Sequence, residues 1–211
     1  MENLSIFNGI AQEDIDKMLK CFETRTANFK KGSTILTFIG NISIVGIVLK
    51  GEASLIRYDY SGNKTLIEHL GPNSMFGERF SNYNADELLV EATKDCTILF
   101  MDYCHITKRC KKACPFHSKL VENVLEILSS KIIIANERAE ILAKKTIREK
   151  LLAYFEMTSK RKLSKSFIMP ITFTDLADYI GVDRSAMQRE LKNLKDEGFI
   201  TAKNKKITLN Y

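Results

Sequence analysis

The chain has 211 residues, 45% of them apolar and 27% charged, with a formal net charge of +6. At roughly 100–200 residues per domain this is one large domain or two modest ones, and no apolar run approaches the roughly 18–20 residues of a membrane-spanning helix, so a soluble globular protein is expected and a bilayer protein is argued against. The start Met1-Glu2-Asn3-Leu4-Ser5-Ile6-Phe7 lacks the basic region and apolar run of a secretory signal, and five cysteines, an odd number, argue against a disulfide framework. A cytoplasmic location is the expectation.

Along the chain, Ala11 to Phe22 has helical spacing at Ile15, Met18, Leu19 and Phe22. Cys21 is read there as a core residue. From about Thr26 to Asp102 the sequence reads as strands punctuated by turns at Lys31-Gly32, Gly40-Asn41, Lys50-Gly51, Ser61-Gly62-Asn63 and Gly71-Pro72-Asn73. Between them Ile42 to Leu49, Ala53 to Tyr58, Thr65 to Leu70 and Thr97 to Met101 are rich in branched and aromatic residues, which predicts a compact antiparallel barrel or sandwich.

After Pro115 a long helix is expected, from about Ser118 to Lys144 and roughly 40 Å long. Val121, Leu125, Leu128, Ile132, Ala135, Ala139 and Leu142 step alternately by four and three, a heptad seam. Such a helix either lies on its own domain or pairs with a second copy in a parallel coiled coil, where Ala135 and Ala139 allow close approach.

From Thr146 the chain is read as helical, ending in two strands, Phe199 to Ala202 and Lys206 to Leu209, joined by Lys203-Asn204-Lys205. These last 66 residues carry 13 Lys and Arg against 8 Asp and Glu, so they hold five of the six net positive charges. A basic domain attached to a neutral one is the footprint of contact with a polyanion, most often nucleic acid.

Within it, Thr174 opens a short helix with the apolar face Leu176, Ala177 and Ile180. Gly181 supplies a tight turn, Val182 plugs the angle, and Asp183 caps a second helix running to about Glu197. Met187, Leu191 and Leu194 face inward there, which leaves Arg184, Ser185, Gln188 and Arg189 outward. Arg pairs with guanine through two hydrogen bonds, Gln does the same with adenine, and Ser is permissive. Thr174 joins these as a candidate DNA-facing residue, and Lys203, Lys205 and Lys206 form a wing suited to phosphates.

The whole chain resembles the Crp/Fnr family of bacterial transcription regulators. The resemblance is carried by Phe29-Lys-Lys-Gly32, Gly51-Glu52-Ala53, Asp59-Tyr60-Ser61-Gly62, Phe76-Gly77-Glu78 and Val182-Asp183-Arg184-Ser185-Ala186-Met187-Gln188-Arg189-Glu190-Leu191. It implies an α+β protein: an antiparallel β-roll or barrel effector domain of the cyclic-nucleotide-binding type over residues 1–117, a dimerisation helix over 118–145, and a winged helix-turn-helix over 146–211. It further implies a homodimer that reads palindromic promoter DNA under control of an effector bound in or near the barrel, around Phe76, Gly77, Glu78 and Arg79. The family often has Glu where this chain has Ser185, which alters the expected base preference; Arg189 matches and is the expected guanine contact. Activation of transcription would also require a surface touching RNA polymerase, which no motif locates.

Members that bind a cyclic nucleotide hold its phosphate with an Arg followed by Ser or Thr, a few residues after the Phe-Gly-Glu. Aligning Val90-Glu91-Ala92 with the following strand puts Asp86 and Glu87 at those places, and two carboxylates repel the anion. An effector other than cyclic AMP, a small molecule or a redox signal, is therefore expected.

Four of the five cysteines fall between Cys96 and Cys114. Cys104, Cys110, Cys114 and His117 form a candidate metal or redox set, with zinc, an iron-sulfur cluster, or haem through His105 or His117 as its chemistry, and plain structural cysteines as the alternative. Lys108, Arg109, Lys111 and Lys112 nearby favour thiolates. A different class, a stand-alone ligand or redox sensor acting on protein partners, shares these features. An enzyme is not expected: no phosphate-cradling glycine loop, no nucleophile with a base and no His-x-x-x-His pair stands in the sequence.

Overall fold

The computed structural model describes residues 4–38, 43–77, 88–107 and 116–211. They form two compact units, Met1–Ser130 and Lys131–Tyr211.

In the first unit a 3-10 turn at Ser5–Phe7 and helix α1 (Gln12–Cys21) precede strands β1 (Arg25–Phe29), β2 (Thr34–Thr37), β3 (Ile44–Lys50), β4 (Ala53–Tyr58), β5 (Lys64–Leu70), β6 (Met75–Phe76), β7 (Leu88–Ala92) and β8 (Cys96–Asp102). All pairings are antiparallel, in two sheets ordered β1-β8-β3-β6 and β2-β7-β4-β5. The two sheets enclose one core, with Val48, Phe76, Ile98 and Phe100 from the first meeting Leu55, Leu70, Leu88 and Val90 from the second. On its other face the first sheet offers Val45, Ile47, Leu99 and Met101 to a helical layer that includes Ile15, Met18 and Phe22 of the α1 segment. Strand β8 is thus covered on both sides, which is why Ile98-Leu99-Phe100-Met101 is a continuous apolar run instead of an alternating one. Cys21, expected in the core, is exposed instead. Residues Ile15, Met18 and Phe22 own the buried face of α1, and Cys21 falls off that stripe.

A short helix α2 (Tyr103–Thr107) and the long helix α3 (His117–Ala143) follow. The first turns of α3 close the helical layer. Leu120 is fully buried, Val124, Ile127 and Leu128 pack beside it, and the buried Asn123 side chain donates to the backbone oxygens of Ile6 (3.0 Å) and Asn8 (2.8 Å). This own-domain face is different from most of the heptad seam, whose Leu125, Ile132 and Leu142 are 58%, 61% and 42% exposed in the single chain.

The second unit holds the last turns of α3, then α4 (Ile147–Lys162), β9 (Ser166–Ile168), α5 (Phe173–Ile180), α6 (Arg184–Asp196), β10 (Ile200–Lys203) and β11 (Lys206–Leu209). Its core joins Ile141 of α3 to Leu151 and Phe155 of α4, Leu176 and Ile180 of α5, Met187, Leu191 and Leu194 of α6, and Ile207 of β11. Helix α4 starts in a capping box: the Thr146 hydroxyl accepts from the Glu149 amide and the Glu149 carboxylate accepts from the Thr146 amide. Strand β9, which sequence reading did not separate from the helical region, pairs with β11 in the order β10-β11-β9. At three residues with Phe167 alone buried, it is too short to show a period.

Helix α4 ends on Leu163, which is left-handed (φ 49°) and 94% exposed. A side chain there costs roughly 1–2 kcal/mol of backbone strain, part of which glycine repays in lost chain entropy. Leu163→Gly is therefore expected to stabilise this unit by about 1 kcal/mol, read as a Tm a few degrees higher in thermal denaturation. An unchanged or lower Tm would show that the strain is absent.

Candidate nucleic-acid interface

The elements that present the outward-facing residues are built by local signals. Helix α5 begins one residue before Thr174, because Thr172 is its cap: the Thr172 hydroxyl accepts from the Asp175 amide at 3.1 Å, and Asp175 reaches back to the Thr172 amide. The Thr-x-x-Asp spacing carries this signal in the sequence. Thr174 is consequently an exposed residue of the first turn and not the helix start.

Gly181 ends α5 in the left-handed conformation (φ 64°) that L side chains rarely adopt, and Val182 packs partly buried against the core. Asp183 caps α6, accepting from the Ala186 amide at 2.8 Å and from the Ser185 hydroxyl at 2.6 Å. These hydrogen bonds, that from Ser185 foremost, hold the Asp183 carboxyl below its ordinary range. A carboxyl depressed on folding contributes stability that is complete above its unfolded value, about 3.9, and is lost as the pH falls through the folded value. Asp183→Asn keeps an acceptor of equal capping quality. It is expected to melt like the parent at neutral pH and to show a shallower loss of Tm below pH 4; a parallel acid loss in both proteins would remove Asp183 from the acid response.

With Met187, Leu191 and Leu194 buried, Ser185, Gln188 and Arg189 stand exposed on the outer side of α6, as their spacing requires, and Arg184 is exposed as the first residue of the helix. Lys192, one turn beyond Gln188 and also exposed, continues the row. It was not singled out from the sequence, although its i+4 spacing carries the signal. The Ser185 hydroxyl hydrogen is engaged by the helix cap, so toward a ligand Ser185 offers acceptor lone pairs. Strands β10 and β11 pair Lys203 with Lys206 across a two-residue turn of Asn204 and Lys205, and Asn204 takes the positive φ (55°). Lys203, Lys205 and Lys206 are thereby gathered at one hairpin tip, all exposed.

The back of α6 is tied to α4. The Arg148 Nε lies 3.2 Å from Glu190, a second guanidinium nitrogen pairs with Glu197, and the guanidinium carbon sits 5.4 Å from the centre of the Phe199 ring. Tyr211 packs on Phe199, and its hydroxyl donates to Glu156, with the phenol pushed up to about 12 by burial and by that carboxylate.

The candidate effector residues fall in the first unit. Phe76 is buried, its ring lies over Gly46, and it meets Phe100 edge-on at 6.4 Å, so its side chain serves the core. Gly77 has φ 86°, and a Cβ there would stand 2.3 Å from the Ile44 oxygen. Glu78, Arg79, Asp86 and Glu87 lie outside the described residues, as do Cys110 and Cys114.

Of the remaining cysteine and histidine set, Cys104 is half-buried on α2. His117, the first residue of α3, is buried edge-on to Phe22, and neither ring nitrogen has a hydrogen-bond partner among the described residues. His105 stacks on the same Phe22 ring, its Nδ1 3.2 Å from the Phe22 backbone oxygen. Among the described residues no three His, Cys, Asp or Glu side chains converge on a point that would hold a metal. Burial, with the Asp95 charge adding to it, pushes the Cys96 thiol up, away from thiolate reactivity.

A two-sheet roll, a long helix and a capped helix-turn-helix with a lysine-tipped wing are the parts of a DNA-binding regulator with a sensor-type domain. The family described as Crp-like helix-turn-helix domain matches residues 149–210, and that described as cyclic nucleotide-binding domain matches residues 26–112. The transcriptional activator protein FnrL of Cereibacter sphaeroides is 24% identical over 188 residues, covering 85% of this chain and 73% of FnrL. Among solved structures, the c-di-GMP responsive global regulator CLP of Xanthomonas campestris superposes with TM-score 0.72 at 16% identity, over 94% of this chain and 99% of CLP. A CooA mutant from Carboxydothermus hydrogenoformans also gives 0.72 at 16% identity, over 100% and 92% of the two chains. The chain belongs to the Crp/Fnr family of DNA-binding transcription regulators, with a sensor domain of the cyclic-nucleotide-binding type. No helix among the described residues is long and apolar enough to cross a membrane.

Proposed function

We propose that this protein is a homodimeric, sequence-specific reader of palindromic DNA whose first unit responds to an effector other than cyclic AMP. The observation that carries the reading is the exposed row Arg184, Ser185, Gln188 and Arg189 on a capped helix, beside a wing that holds three lysines. The helix supplies donors and acceptors for base edges in the major groove, and the lysines supply charge for phosphates. Exposure of Leu125, Ile132, Ala135, Ala139 and Leu142 along α3 supports the dimer, because an apolar seam of that length is covered by an identical one. Two half-sites follow from two readers related by a twofold axis. The case against cyclic AMP rests on Asp86 and Glu87 of the sequence, where a phosphate would require a cation.

Selection of duplexes from a random-sequence pool with the full chain tests the reading. The expected product is a palindrome with half-sites about one helical turn apart, bound with an affinity that falls steeply with salt. Retention of all sequences alike would leave only non-specific polyanion binding and overturn it.

A further inference from the structure

The carbonyls that end α5 are all taken, and two of them are taken from outside the helix-turn-helix. The oxygens of Ala177 and Asp178 accept from the Val182 and Gly181 amides of the turn. The Tyr179 oxygen accepts from Arg138 Nε at 3.0 Å, and the Ile180 oxygen accepts from Lys150 Nζ at 3.2 Å. Two cations thus sit at the negative end of the helix, where they satisfy carbonyls that the helix itself cannot.

The two cations differ in origin. Lys150 belongs to α4, within the reader, whereas Arg138 comes from the long helix. Its guanidinium lies 4.5 Å from the centre of the Tyr179 ring and is about half buried, so it makes a cation–π contact as well as a hydrogen bond. Neighbouring contacts fasten the same turns of α3: Glu137 pairs with Arg161 of α4, Ile141 enters the core, and a Cβ on Gly181 would stand 3.4 Å from Leu142. Ala135, Ala139 and Leu142 of the seam lie on these same turns.

We infer that Arg138 is a positioning residue for DNA reading: by clamping Tyr179 it makes the end of α5, and with it the turn into α6, move as one body with the paired segment of α3, so that the geometry of the seam sets the separation of the two recognition helices. This rests on the dimeric reading above. Arg138 touches no DNA; it acts through Tyr179 and Gly181. A clamp of this kind fixes the distance between readers without changing what either reader recognises.

The test uses the full chain, the palindrome selected from the random pool, versions with one base pair added or removed between the half-sites, and a duplex carrying a single half-site. The parent is expected to lose about tenfold or more in affinity when the spacing changes. Arg138→Met is expected to shrink that penalty to about threefold or less while binding the single half-site within about twofold of the parent. Arg138→Lys, which keeps the charge but not the guanidinium that donates to the Tyr179 oxygen, is expected to fall between them, and it carries the test should the methionine variant not fold. A variant that retains the full spacing penalty overturns the inference, as does one that loses single half-site binding in equal measure, which would mark Arg138 as a stability residue only. Should the parent itself select no palindrome, the dimeric reading fails on the parent alone, before any variant is compared.

Discussion

Ile132→Glu is expected to convert the proposed homodimer to a monomer and to lower its affinity for the selected palindrome by about a hundredfold or more. Ile132 lies at the centre of the seam between Leu128 and Ala135, and it is 61% exposed in the single chain, so the substitution costs the isolated fold little. Between two copies the consequence is severe. In the proposed dimer each glutamate would face its twin across a close helix contact, and burying two like charges without partners costs far more than the lost isoleucine packing. Linked half-site binding is then lost, because the gain from a tethered second reader disappears with the tether. Light scattering at micromolar concentration reads the mass, and fluorescence anisotropy reads the affinity. A dimer that persists with undiminished palindrome binding would move the interface away from the seam.

The second large effect is at Arg189. Its side chain is exposed on α6, opposite the buried Met187 and Leu191, and truncation leaves the core and the Asp183 cap untouched. Arg189→Ala is expected to keep the Tm while losing about 1–3 kcal/mol of discrimination at one base pair of each half-site, the value of a two-hydrogen-bond guanine contact. Repeating the selection with the variant should relax that position alone. Uniform weakening across all sequences would reassign Arg189 to the phosphate backbone.

The contrast between these residues and Arg138 shows what kind of information a sequence carries openly. Gly181 and Asp183 are legible because a tight turn and a helix cap are local demands, satisfied within a few residues. The seam is legible because a heptad is a period. Strands β3, β4, β5 and β8 are legible because turn signals bracket their branched and aromatic residues. Strand β1, by contrast, is Arg25-Thr-Ala-Asn-Phe29, with no apolar run, and exists because β8 offers it a ladder. Strand β9 exists because β11 does. Cys21 is exposed because it lies off the Ile15, Met18 and Phe22 stripe, so its residue type points to the core while its place in the helical period points outward.

What the sequence determined by itself was the neutral and basic parts of the chain, the capped recognition helix and the existence of a long apolar seam. Each follows from residue type at short or regular spacing. Only the tertiary structure divided α3 between two jobs, with Leu120, Val124 and Ile127 closing the roll and Leu125, Ile132 and Leu142 left open. Only the fold brought Arg138 to Tyr179, 41 residues away, and set Phe76 into the core. The physical reason is the same in each case. A helix has more than one apolar face, and a cation many possible acceptors, so which of them is used depends on what distant segments place beside it.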